Sequence, residues 1–212
     1  MAGGANADYP VRFWVDYPEE GLDRLSTALR LIYVIPIAIV LGAIAGGTSF
    51  QGASDDTTTF AGATAGVLFF PTLLLIVFRQ KYPRWWFDWN LEFLRLSNRV
   101  AVYLALLRDE YPSTDEEQAV YLDLDYPDAK NDLNRWYPLF KWLLALPHYI
   151  ILILLGLAAV FAVIGAWFAI LLTGRYPRPL FDFVVGVMRW QNRVSGYAFA
   201  LVTDRYPPFD LD

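Results

Sequence analysis

The chain has no cysteine and a single histidine in 212 residues. The first absence excludes a disulfide framework, a thiol nucleophile and thiolate metal sites. The second, with no carboxylate inside the long apolar runs, leaves no metal shell or proton relay there. Charge is also scarce, at 18% of residues, and seventeen Lys and Arg against twenty-two Asp and Glu leave a net charge of -5. That balance implies no basic face for nucleic acid. Nucleophile-elbow, phosphate-loop and metalloprotease motifs are absent. No catalytic residue, metal or cofactor is expected, and no signal peptide is expected ahead of the first apolar run.

What the chain has instead is apolar surface. Hydrophobic residues make up 56% and aromatics 17%, above the roughly 45–50% apolar content of soluble domains. Leu31 to Ser54, Thr57 to Phe78 and Trp142 to Gly174 carry no Asp, Glu, Lys or Arg. A membrane span needs about 20 such residues, so the first two runs read as one span each. The third, 33 residues long, would make a helix of about 50 Å at 1.5 Å per residue. It reads either as a hairpin folded at Gly156, with spans Leu139–Leu155 and Leu157–Thr173, or as one long tilted or broken helix.

The chain reads as the same unit written twice. Asp16-Tyr17-Pro18 matches Asp125-Tyr126-Pro127, and Pro36 matches Pro147. Tyr82-Pro83-Arg84 with Phe87-Asp88 matches Tyr176-Pro177-Arg178 with Phe181-Asp182. Asn98-Arg99-Val100 matches Asn192-Arg193-Val194, and Asp109 with Tyr111-Pro112 matches Asp204 with Tyr206-Pro207. The offset falls from 111 to 94, so the first copy holds seventeen extra residues, which fit the Gly/Ser/Thr/Asp-rich stretch Gly46–Gly62. Taking that loop out of a first hairpin leaves a tight turn near Gly156 in the second, which favours the hairpin. The expected fold is mainly α and integral to the membrane. It has four transmembrane helices as two duplicated hairpins, each followed by an amphipathic interfacial helix, with short cytoplasmic β-strands. The repeats are 1–112 and 113–212, each opening on an alternating strand: Val11, Phe13 and Val15, then Val120, Leu122 and Leu124.

The repeated Tyr-Pro-Arg…Phe-Asp block ahead of Asn-Arg-Val, each copy closed by Asp-x-Tyr-Pro, resembles the domain-of-unknown-function family 4389, a set of membrane proteins from bacteria and archaea. The second copy, around Thr173–Trp190, is the fuller match. The first has Lys81 for Arg175 and Trp85-Trp86 for Pro179-Leu180. The resemblance implies membrane residence and brings no activity or catalytic residues.

With four spans, all seventeen basic residues fall on one side, which the positive-inside rule makes cytoplasmic. Both termini are then cytoplasmic in a multi-pass plasma-membrane protein. In the helix after each hairpin, Asp88, Glu92, Arg95 and Arg99 form one stripe, repeated as Asp182, Arg189 and Arg193 with Gly186 in place of Glu92. That pattern suits an interfacial helix better than a further span. The stripe is either a solvated face with local ion pairs or a set of inter-repeat pairs, Asp88 with Arg189 or Arg193 and Asp182 with Arg95 or Arg99. Val100–Leu107 and Val194–Val202 carry no charge and need cover.

Eight Tyr-Pro dipeptides far exceed what thirteen tyrosines and thirteen prolines would give by chance. They read as element boundaries at the headgroup level. Lys81, Arg84, Arg175 and Arg178 flank apolar run ends and could hold anionic lipid headgroups or anchor topology. His148, after Pro147, reads as a local cap on a carbonyl freed by proline or as an intramembrane functional group. The expected partners are the bilayer, with anionic lipids, and a protein partner or a second copy; nucleic acid is not expected. The expected function is a non-enzymatic scaffold or accessory subunit. The alternative is a lipid-binding protein or small-solute carrier using a cleft between the repeats.

Overall fold

A computed structural model of the protein describes residues 9–44, 69–114 and 116–212. Along the chain run β1 (Val11–Val15), α1 (Arg24–Tyr33), α2 (Ile35–Ile44), α3 (Phe69–Arg79) and α4 (Arg84–Leu104). They are followed by β2 (Val120–Leu124), α5 (Pro138–Leu144), α6 (Leu146–Thr173) and α7 (Arg178–Ala198).

Proline and left-handed residues set the boundaries. α1 starts at Asp23, whose side chain accepts from the Leu25 N–H at 3.0 Å. It passes into α2 with a break at Val34, and α5 passes into α6 with a break at Ala145. Each break lies two residues before a proline, Pro36 or Pro147, which has no N–H to continue the ladder. α3 stops at Gln80 (φ 45°) and α6 at Gly174 (φ 73°), where the chain turns left-handed. Leu106 (φ 62°) and Leu201 (φ 56°) take the same conformation beyond α4 and α7.

The hairpin at Gly156 does not form. α6 is one helix from Leu146 to Thr173 with Gly156 inside it. Glycine in a helix costs about 1 kcal/mol relative to alanine but leaves the ladder intact. Its neighbours, Leu155 and Leu157, supply no turn chemistry. Among the described residues, the four expected spans give way to two helices long and apolar enough to cross a membrane, Arg24–Ile44 and Leu146–Thr173, and the shorter Phe69–Arg79; residues 57–68 of the expected span Thr57–Phe78 lie outside the described residues. The loop assigned to Gly46–Gly62, with Asp55 and Asp56, lies outside the described residues.

The two strands pair antiparallel about Phe13 opposite Leu122, with Val11 opposite Leu124 and Val15 opposite Val120. Alternation puts these six residues inward, all buried, while Trp14, Asp16, Tyr121 and Asp125 stay exposed. β1 packs on α7 and β2 on α4, so each strand lies on the helix from the other half of the chain. On their other sides α4 and α7 carry the apolar helices. Val34 and Ile37 pack on Leu96, Val100 and Tyr103, while Ala145, Tyr149 and Leu152 pack on Trp190, Val194 and Tyr197. The uncharged ends of α4 and α7 are thus covered from within the chain. The result is three layers: sheet, α4 with α7, then the apolar helices.

Candidate functional site

α4 and α7 meet where Asn98 and Asn192 exchange reciprocal amide hydrogen bonds of 2.8 and 2.7 Å. Both are buried, and each also donates within its own helix, to Leu94 O and Met188 O. Every bond an amide can make is worth most where water is excluded. This pair borders a cleft of about 530 Å³ between α4, α6 and α7. Leu94, Ala101, Ala159, Val163, Val184 and Met188 give it apolar walls, and Ser97, Gln191 and Ser195 add hydroxyl and amide groups.

Around that contact, interactions in one half recur in the other. The Tyr17 hydroxyl donates to Tyr176 O and the Tyr126 hydroxyl to Tyr82 O, both at 2.5 Å. Arg178 sits over the Tyr17 ring at 4.3 Å and Arg84 over the Tyr126 ring at 4.7 Å. Arg189 Nε donates to Phe13 O at 3.0 Å, and Arg95 Nε to Leu122 O at 2.9 Å. Asp109 accepts from the Asp23 N–H and Asp204 from the Asn134 N–H, each at 2.6 Å.

Two of the three buried cations among the described residues, Arg30 and Lys141, complete the set; the third is Arg193. Arg30 pairs with Asp109, donates to Tyr103 O and Arg108 O, and lies 4.4 Å from the Tyr103 ring centre. Lys141 pairs with Asp204 at 2.7 Å, donates to Thr203 O at 2.7 Å and lies 5.3 Å from the Tyr197 ring centre. Burial pushes the Lys141 amine below its ordinary range, with Asp204 acting in the opposite direction. Burial likewise pushes the Tyr82 hydroxyl up to about 12. The acidic residues of the Asp-x-Tyr-Pro closures, matched in the sequence, are the counter-ions of these cations. Arg30 and Lys141 were missed as a pair, although their spacing equals that of Pro36 and Pro147.

The charged stripes are built differently from the inter-repeat pairing considered above. Asp88 pairs with Arg84 at 3.2 Å, and Arg95 with Glu92 at 2.7 Å and Asp123 at 3.1 Å. Arg99 donates to Ser113 O, Arg189 also to Leu211 O, and Arg193 to Asp210 O. Asp182 is exposed. Neither Asp88 with Arg189 or Arg193, nor Asp182 with Arg95 or Arg99, is among the ion pairs of the described residues. The reason is geometric: the guanidinium groups turn to carbonyls of strands and end segments. Gly186 stands where the other stripe has Glu92 because a Cβ there would meet Leu211 O at 2.9 Å.

Lys81 and Arg175 are exposed in the turns before α4 and α7, and Arg84 and Arg178 open those helices, also exposed. Arg178 additionally pairs with Glu19 at 2.7 Å. His148 is fully buried, its Nδ1 accepting from Trp190 Nε1 at 3.0 Å and its ring stacked 4.0 Å from that of Phe209. It caps an indole rather than a carbonyl freed by Pro147. No group of three or more Asp, Glu or His able to hold a metal occurs among the described residues.

A mainly helical fold, a two-stranded sheet and two helices long enough to cross a bilayer define the structural class. Within it, residues 135–210 match the family model described as Domain of unknown function (DUF4389). The family named from the Tyr-Pro-Arg and Asp-x-Tyr-Pro blocks is thus the one matched, over one copy. No curated protein and no solved structure matches the chain.

Proposed function

We propose that the chain is a tandem duplication, residues 1–112 and 113–212, acting as a non-enzymatic scaffold or accessory subunit of the plasma membrane for a membrane or cytoplasmic partner. Its termini and its sheet lie on the cytoplasmic side, where the basic residues gather. The duplication is supported by the cross-half contacts of Tyr17 and Tyr126, of Arg95 and Arg189, and of Asn98 with Asn192. β1 packing on α7 and β2 on α4 make the two copies one interlocked body rather than separate domains.

The observation that carries the scaffold reading is how polar side chains at the junctions between elements are used. Arg30, Lys141, Asn98, Asn192 and the Tyr17 and Tyr126 hydroxyls bond to the protein's own backbone or to one another. They hold elements together, as a scaffold requires. Affinity purification from native membranes, with bound proteins and lipids identified, is expected to recover a stoichiometric protein partner or a second copy. A lone monomer, in mild detergent and in membranes alike, overturns the reading.

A lipid-binding or small-solute carrier role is favoured by one observation, the cleft between α4, α6 and α7. Its volume and apolar walls fit part of an acyl chain. Ala159→Trp would fill it, and loss of a co-purifying lipid in that variant supports this second role. An unchanged lipid complement removes it.

A further inference from the structure

We infer that the apolar helices lie within one leaflet, roughly parallel to the membrane plane, so that the protein is seated on a lipid surface rather than threaded through it. This rests on the membrane residence proposed above and concerns only how the chain meets the bilayer.

The inference comes from what α6 is fastened to. At its start, His148 meets Trp190 in the second half of α7; in its middle, Ala159 and Val163 wall the cleft between α4 and α7. Near the other end of α7, a Cβ at Gly165 would lie 3.9 Å from the Leu180 side chain. At the far end of α6, Leu172 O accepts from Arg24 at 3.2 Å. α6 therefore runs across the α4/α7 layer for most of its roughly 42 Å, instead of standing away from it. The reverse side of that layer holds the sheet, fastened through Arg95 and Arg189. The outer face of the sheet carries the Arg12–Asp125 pair, with side chains 40% and 55% exposed.

An α6 perpendicular to the membrane would carry this charged face to the same depth, in contact with hydrocarbon. Ionised groups exposed to hydrocarbon are each costly at mid-bilayer depth. Laid flat, the same body puts its sheet in water and α4 and α7 at the headgroups. The exposed face of α6 (Ile150, Ile153, Leu157, Phe161) and of α2 (Ile35, Ile39) then lies in acyl chains. Charge agrees: Lys81, Arg84, Arg175 and Arg178 are exposed at the turns that border the apolar layer, where anionic headgroups complement them.

The full-length chain, free of native cysteine, suits single-cysteine tests. Lys130→Cys and Arg175→Cys flank α5 and α6 at exposed positions. Gly156→Cys places its Cβ where nothing lies within 4 Å. In inside-out and right-side-out membrane vesicles, a membrane-impermeant maleimide is expected to label Lys130→Cys and Arg175→Cys from the same side. A spin label on Gly156→Cys is expected to report a depth within the first leaflet. Labelling of the two flanks from opposite sides, or a Gly156 depth at the bilayer midplane, overturns the one-leaflet placement while leaving membrane residence standing. Recovery of the unmodified chain in the soluble fraction overturns both.

Discussion

Arg30 and Lys141 occupy corresponding places in the two halves and solve one problem with different chemistry. Each is a buried cation on the helix before the proline break, facing an aspartate at the end of its own half and a tyrosine ring. The Arg30 guanidinium spreads over Ser26, Tyr103 O, Arg108 O and Asp109, whereas the Lys141 amine has Thr203 O and Asp204. A planar fork with fixed charge suits many acceptors; a point charge suits few and can give up its proton when buried. The comparison teaches that position and counter-ion are kept while the strength and the pH response of the clamp differ.

The largest effect should come from removing either cation. Arg30→Ala takes the counter-ion from Asp109 and one donor each from Tyr103 O and Arg108 O, and should cost up to roughly 3–5 kcal/mol, the range for breaking a buried pair. Lys141→Ala should fall at the lower edge of that range, having fewer acceptors to strand. Chemical unfolding in detergent micelles orders the two, and an equal or reversed order breaks the comparison.

The aspartates sharpen it through pH. Lys141 is held below its ordinary range by burial, and losing Asp204 lowers it further. A lysine with a lowered folded pKa binds fewer protons folded than unfolded, so stability rises with pH toward the unfolded value. Asp204→Asn should therefore be most destabilised near pH 7 and recover part of the loss by pH 9. Asp109→Asn should show no such recovery, because guanidinium stays charged. Thermal unfolding at both pH values makes the test, and parallel profiles would contradict it.

A smaller, matched effect concerns the crossed tyrosines. Tyr17→Phe and Tyr126→Phe each remove one hydrogen bond to the opposite half, expected at about 1 kcal/mol. A large inequality in unfolding free energy would mean that the two crossings are not equivalent. Smaller still is Gly156→Ala: with open space at the Cβ position and helix on both sides, stability should rise by about 0.5–1 kcal/mol. A loss would point to a turn there.

Much of this architecture was legible in the sequence, for stated physical reasons. The period-2 residues Val11, Phe13 and Val15 and their counterparts gave the strands, and the stripe from Asp88 to Arg99 gave a helix with one polar face. The exchange of strands between halves was not legible, because alternation fixes which face is buried but not which helix buries it. Gly156 misled because one glycine, which a helix tolerates, was read as a turn to make the two apolar regions match in length. The Asn98–Asn192 contact was visible only as two matching asparagines in a repeated motif; nothing local says that equivalent positions touch. The roles of the stripe arginines, aimed at Phe13 O and Leu122 O, likewise needed the strand placement first.

The central claim is that two equivalent halves meet at Asn98 and Asn192, and a double-mutant cycle tests it most directly. Asn98→Leu and Asn192→Leu alone each leave a buried amide without its partner and should cost roughly 1–3 kcal/mol; together they remove both amides and should cost far less than the sum. Unfolding free energies that simply add would contradict a shared junction at these two residues.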